Sequence, residues 1–258
     1  MDVLAGFLAE SNRFFLLLAR FCGITFIPVF NTRNIPVQWR VWFLFLLTFF
    51  GWMMGLAENA PALEQLGSYT FTLLMELFTG LTLAFIVQLV FAAVQLAGQI
   101  IDTQMGFGMM NVVDPLSGTQ APLLGNFKYI LAILVFLQID GHHLFIQAVY
   151  DSYRVFPVGE SFLLSPNFIP SFVLYFGNVF LIGCKLGMPI VGTLLVTDFV
   201  LGVMARTVPQ MNIFMVGLQV KILIGFFVLL VTVPLFIYLL NASFSDLFTK
   251  IYEIIQYK

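Results

Sequence analysis

Six apolar stretches, at about 13–30, 37–57, 69–101, 121–150, 168–204 and 212–242, make up most of the chain. Only short polar breaks divide them: Asn31 to Pro36, Glu58 to Gly67, Asp102 to Pro122, Pro157 to Pro166 and Arg206 to Asn212. About 20 apolar residues cross a bilayer core as a helix, at roughly 1.5 Å of rise each. The expected fold is therefore all-α and polytopic, with about six long, partly broken helical segments. The stretches 69–101 and 168–204 exceed one span, so each is tilted, bent or double.

Breakers refine this picture. "GCKLGMPIVG" gathers Gly183, Gly187, Pro189 and Gly192 in one apolar stretch. A proline inside a helix removes a backbone bond and clashes with the preceding turn, which predicts a kink or break near Pro189. "QIDGHHLF" predicts a helix end at Asp140-Gly141 followed by a restart. Pro122 suits the first turn of a helix capped by Thr119 or Gln120.

Charge agrees with a membrane protein. Charged residues are 9% of the chain and mean hydropathy is +1.01, against about 25% charged in ordinary soluble domains. With 11 basic and 13 acidic side chains there is no electrostatic footprint for nucleic acid. Cys22 and Cys184 read as small buried hydrophobes. Asp2 and Glu10 precede Arg13, the wrong charge order for a cleaved secretory signal, so the first apolar stretch is expected to stay.

The apolar stretches hold or adjoin Arg20, Arg40, Glu76, Gln88, Gln95, Lys128, Lys185, Asp198 and Lys221. A charge at the bilayer centre costs about 2.5–3.5 kcal/mol on insertion scales. Arg40 and Lys128 read as snorkelling from helix ends. Glu76, Lys185 and Lys221 lie deeper and read as buried polar contacts with protein, in this chain or in others.

No catalytic set emerges. Tyr150-Asp151 is half of an intramembrane aspartyl protease signature, without the GxGD half. Ser117 lacks the GxSxG elbow. His142 and His143 diverge by about 100° on a helix and lack the i, i+4 spacing of a metal site. No metal, no cofactor and no enzyme activity is expected.

One break is unlike the others. Residues 102–122, "DTQMGFGMMNVVDPLSGTQAP", combine Met105, Met109 and Met110 with Gly106, Phe107, Gly108, Asn111, Asp114-Pro115 and Gly118, and hold no basic residue. Methionine is unbranched and adaptable, and glycine lets the backbone bend aside, so this stretch can fill an irregular hole and give way.

Three stretches together resemble the FliR family of bacterial flagellar type III export-gate proteins: "FFLLLARFCGITFIPVF" with "IPVQWRV", "QLAGQIIDTQMGFGMMNVVDP" with "GTQAPLLGNF", and "QIDGHHLFIQAVYDSYRVFPVG". The resemblance covers essentially the whole chain. It implies one copy joined to several copies of FliP and FliQ in a pore-forming assembly of the flagellum basal body, in the bacterial inner membrane. FlhB and FlhA of the export apparatus, unfolded exported flagellar proteins and membrane lipid are the other implied partners. It further implies that about 1–170 is FliP-like, that about 171–245 is a FliQ-like helical hairpin, and that the loop at 106–118 plugs the pore. A virulence-type secretion homologue is the near alternative. A stand-alone secondary transporter is the distant one, with discontinuous helices near 106–118 and 183–192 building a midplane site.

Overall fold

The structure, a computed structural model, describes residues 2–32, 35–57, 66–107, 122–166, 168–208 and 212–256. The described residues are all-α, with no strand among them: α1 (Asp2–Phe21), α2 (Val37–Met53), α3 (Leu66–Met105), α4 (Leu123–Gln138), α5 (Gly141–Val155), α6 (Phe168–Thr207) and α7 (Ile213–Gln256). Short 3-10 turns follow α1 at Cys22–Phe26 and precede α6 at Phe162–Leu164. Three helices, α3, α6 and most of α7, are long and apolar enough to cross a membrane, and α4 with α5 adds a fourth if that bent pair is one span.

The break at Asp140 is where the sequence puts it. Asp140 is left-handed, at φ 54° and ψ 30°, a region that asparagine and aspartate tolerate better than other side chains. The axis turns by 64° between α4 and α5. Pro122 stands just before α4, with its carbonyl accepting the Asn126 N–H at 2.9 Å.

Of the kink or break expected near Pro189, the break is absent. Helix α6 runs unbroken from Phe168 to Thr207 with Pro189 inside it. Membrane helices tolerate an interior proline; the acceptor that Pro189 frees is the Lys185 carbonyl, four residues back, next to the Leu186 carbonyl that takes the Lys128 ammonium at 3.2 Å. Gly183 and Gly187 serve packing instead of breakage: a Cβ on Gly183 would lie 3.2 Å from the Ala93 carbonyl oxygen, and one on Gly187 3.7 Å from Ala97. Their spacing of four puts both on the face of α6 that meets α3. The discontinuous helix that a transporter site needs at 183–192 is therefore missing.

The chain divides into two compact units. The first comprises 1–89, 137–176 and 244–258. Its core gathers Leu17, Phe21, Ile24 and Tyr153, with the Phe21 ring 5.1 Å from Tyr150 and 5.8 Å from Tyr153. Helices α1 and α3 cross with backbones in contact, since a Cβ on Gly80 would fall 1.9 Å from the Arg20 carbonyl oxygen. The second unit comprises 90–136 and 177–243. In it Phe91 packs edge-on against Tyr129 and Phe136, and Ile101, Met105, Leu124, Ile190, Leu194 and Leu229 form a buried cluster.

Candidate functional site: the base of the central loop

Helix α3 stops at Met105 because the next residue turns away. Gly106 has φ +87°, a conformation costly for any side chain, and its N–H closes a turn on the Thr103 carbonyl at 3.2 Å. A Cβ there would also strike Leu218 at 2.4 Å. Met105 is fully buried in the second unit's cluster, and its thioether fills the space above Gly225, where a Cβ would come within 2.6 Å of the Met105 methyl. Phe107 packs on the same cluster, edge-on to Phe226 at 6.3 Å.

The far end of the loop is tied to the same place. Asp102 is buried, and its carboxylate accepts the Leu124 N–H at 3.0 Å through Oδ1 and the Gly125 N–H at 3.1 Å through Oδ2. These are two of the orphan donors in the first turn of α4, and a negative group is favoured there by the helix dipole. Gly98 and Gly125 let the two backbones touch: a Cβ on Gly98 would lie 2.2 Å from the Gly125 Cα. The end of α3 and the first turn of α4 are thus clamped together.

Of the residues expected in a plug, Met105, Gly106 and Phe107 belong to this base. Gly108, Met109, Met110, Asn111, Asp114, Pro115 and Gly118 lie outside the described residues. The sequence reading missed the clamp itself. Its signal was available in "QLAGQIIDTQ" and "PLLGNF", where one glycine sits in each otherwise apolar flank and one acid stands in the first.

The deep charges resolve in three different ways. Arg20 and Glu76, both buried in the first unit, form a two-pronged pair, Nε to Oε2 at 2.6 Å and Nη2 to Oε1 at 3.0 Å. Arg20 Nη1 also donates to Ser152 Oγ and the Phe156 carbonyl, and the guanidinium lies 4.0 Å over the Tyr153 ring. Glu76 accepts the Gly159 N–H at 2.9 Å, so the "PVG" turn is fastened to the same pair. In the second unit Lys221 pairs with Asp198 and keeps partial exposure. Lys185 has no such contact among the described residues of this chain: it is exposed, because it points away from the face of α6 that Gly183 and Gly187 bury. Lys128 departs as well, being buried instead of snorkelling, with its ammonium 4.8 Å from the centre of the Phe236 ring. Arg40 bonds the turn before α2 through Asn31 Oδ1 and the Thr32 and Ile35 carbonyls.

Asp151 is held by Arg154 at 3.3 Å, and Tyr150 donates to the Leu47 carbonyl, so both act structurally. The rings of His142 and His143 lie closer than helical spacing suggests, with centres 4.2 Å apart, and ligand atoms of Asp140, His142 and His143 fall within 4.8 Å of one another at the surface. Cys22 and Cys184 are free and only half-buried.

A sequence model of the family described as "Bacterial export proteins, family 1" matches residues 11–247. The chain is 37% identical to the flagellar biosynthetic protein FliR of Bacillus subtilis, over 85% of each protein. It is 29% identical to FliR of Escherichia coli over 96% of this chain and 95% of that one. Similarity extends to the surface presentation of antigens protein SpaR of Shigella sonnei, 28% identical over 90% of both. A match of this extent, running through the clamped loop base, the Arg20–Glu76 pair and the Asp140 break alike, makes the chain a member of bacterial export proteins family 1, the FliR/SctT family.

Proposed function

We propose that this protein is a structural, non-catalytic subunit of the flagellar type III export gate, sited at the flagellum basal body in the bacterial inner membrane. With FliP and FliQ it forms the pore through which unfolded flagellar proteins leave, working beside FlhB and FlhA. Residues of about 1–170 act as the FliP-like part and about 171–245 as the FliQ-like hairpin. The antiparallel approach of α6 and α7 supports the hairpin, with Lys221 on Asp198 and Gly217 against Leu201.

The observation that carries the plug reading is the clamp. Asp102 and the Gly98–Gly125 contact join the two flanks of a stretch that holds Gly108, Met109, Met110 and Gly118. A seal needs such a rigid base and an adaptable tip. Replacing Met109 and Met110 by Ser tests it in cells carrying the other gate subunits. The complex should form, export should fall only modestly, and the membrane should leak small ions and dyes. An intact permeability barrier would make the segment an ordinary connection. The match to SpaR supports a second reading, a virulence-type gate. Restored swimming in a flagellated strain lacking its own FliR decides for the flagellar one.

A further inference from the structure

Near the middle of α6, Lys185 is the charge that no described residue of the chain answers. Every residue from Phe168 to Cys184 and from Leu186 to Thr197 is uncharged, so Lys185 stands alone near the middle of a helix apolar enough to span a membrane. It is exposed and has no hydrogen bond or ion pair among the described residues. The neighbouring cation lining the same pocket, Lys128, is already occupied by the Leu186 carbonyl and the Phe236 ring.

The surface around Lys185 is built for a helix. Leu181, Met188, Leu195 and Phe199 are each more than half exposed. With Lys185 and Gly192 they recur at alternating steps of four and three, the spacing of a seam that receives a neighbouring helix. A Cβ on Gly192 would meet nothing within 4 Å, which leaves a hollow where a second backbone can come close. A lone lysine in such a seam sets partner and register, and within a membrane it must find an opposite charge or reach water.

We infer that this face of α6 seats a membrane-spanning helix of another gate subunit, apolar along the facing stripe and presenting one aspartate or glutamate carboxylate to Lys185. The inference rests on the export-gate reading and deepens it. Charge complementarity selects the occupant. A second copy of α6 would oppose lysine to lysine, and lipid tails offer nothing to the ammonium.

The test is recovery of the assembled gate. The tagged chain is produced with the other gate subunits, extracted in mild detergent, and the complex is measured against free chain for wild type, Lys185→Arg, Lys185→Met and Lys185→Glu. Because Lys185 has no hydrogen bond or ion pair among the described residues of its own chain, all four should reach the membrane equally. The Arg variant should assemble as wild type. The Met variant, which strands the partner's carboxylate, should give at least about tenfold less complex, and the Glu variant less again. Full assembly of the Met variant overturns the inference, and loss of co-purifying anionic phospholipid alongside it would assign Lys185 to a lipid headgroup. A fall in the Arg variant matched by lower chain levels in the membrane would make Lys185 a folding residue and also overturn it. Wild-type chain that fails to co-purify with any gate subunit removes the export-gate reading and this inference together, whereas normal assembly of the Met variant leaves the former standing.

Discussion

Replacing Glu76 by alanine removes the carboxylate that answers Arg20 and leaves the guanidinium where it is. Neither side chain is more than 2% exposed, so water cannot reach the stranded charge without opening the contact between α1 and α3. What remains for Arg20 is neutral: Ser152 Oγ and the carbonyls of Phe156 and Glu160. The Gly159 N–H also loses its acceptor. Breaking a buried pair from one side costs about 3–5 kcal/mol, a large share of the roughly 5–15 kcal/mol that holds a typical domain together. Removing both charges is a different perturbation, because buried pairs replaced by apolar residues are often neutral or better. The assay is denaturant unfolding of the detergent-solubilised chain for Glu76→Ala, Arg20→Met and the double variant Arg20→Met with Glu76→Met, read as a double-mutant cycle. Each single variant should lose about 3 kcal/mol or more, and the double variant clearly less than the sum. A Glu76→Ala chain within about 1 kcal/mol of wild type, or a double variant as poor as the sum of the singles, would refute the buried-pair argument.

Asp102→Ala frees two N–H groups at the start of α4 and should cost about 0.5–2 kcal/mol, the scale of a lost helix cap; limited proteolysis between Phe107 and Pro122 should quicken, and an unchanged cleavage rate counts against the clamp. Gly80→Ala drives a methyl into the Arg20 carbonyl and should abolish recovery of folded chain, whereas Gly177→Ala, with nothing within 4 Å, should purify normally. Similar yields for the two would mean that α1 and α3 cross at a looser distance. Lys221→Asp and Asp198→Lys should each reduce recovery of the gate complex and restore it when combined, since the pair is exchanged intact; no rescue in the exchanged chain would show that each residue also answers to something else.

How much of this was legible depends on whether a feature is local. The Asp140 restart was readable because aspartate followed by glycine is a short-range instruction to leave the helix, and the structure turns by 64° there. At Pro189 the helix carries on without a break, and what packs this stretch, Ala93 against Gly183 and Ala97 against Gly187, is distant in sequence. Gly183 and Gly187 were read as breakers when their spacing of four already described a packing face. Lys128 looked like a snorkelling residue because its position near the start of α4 is visible in the sequence, whereas the Leu186 carbonyl and the Phe236 ring are not. Asp102 opens the stretch 102–122 in the sequence, and only the fold reveals that its carboxylate caps the first turn of α4.

The same distinction changes the argument for assembly. Three deep charges suggest a chain that needs neighbours, yet two of them need none: Glu76 has Arg20, and Lys221 has Asp198. Obligate partners cannot be argued from buried charge as such, only from charge that the described residues fail to answer, and of these three that leaves Lys185. The apolar surface does not replace it as an argument. The most apolar window of α7 is only 17% buried within the chain, against 61% for α3, but lipid covers such a surface as readily as protein does, since helices in a bilayer gain little from hiding apolar side chains. A lysine ringed by Leu181 and Met188 is different, because hydrocarbon offers its ammonium no counter-charge and no hydrogen bond. The need for another subunit therefore concentrates on one face of α6, and on the one residue there whose requirement lipid tails cannot meet.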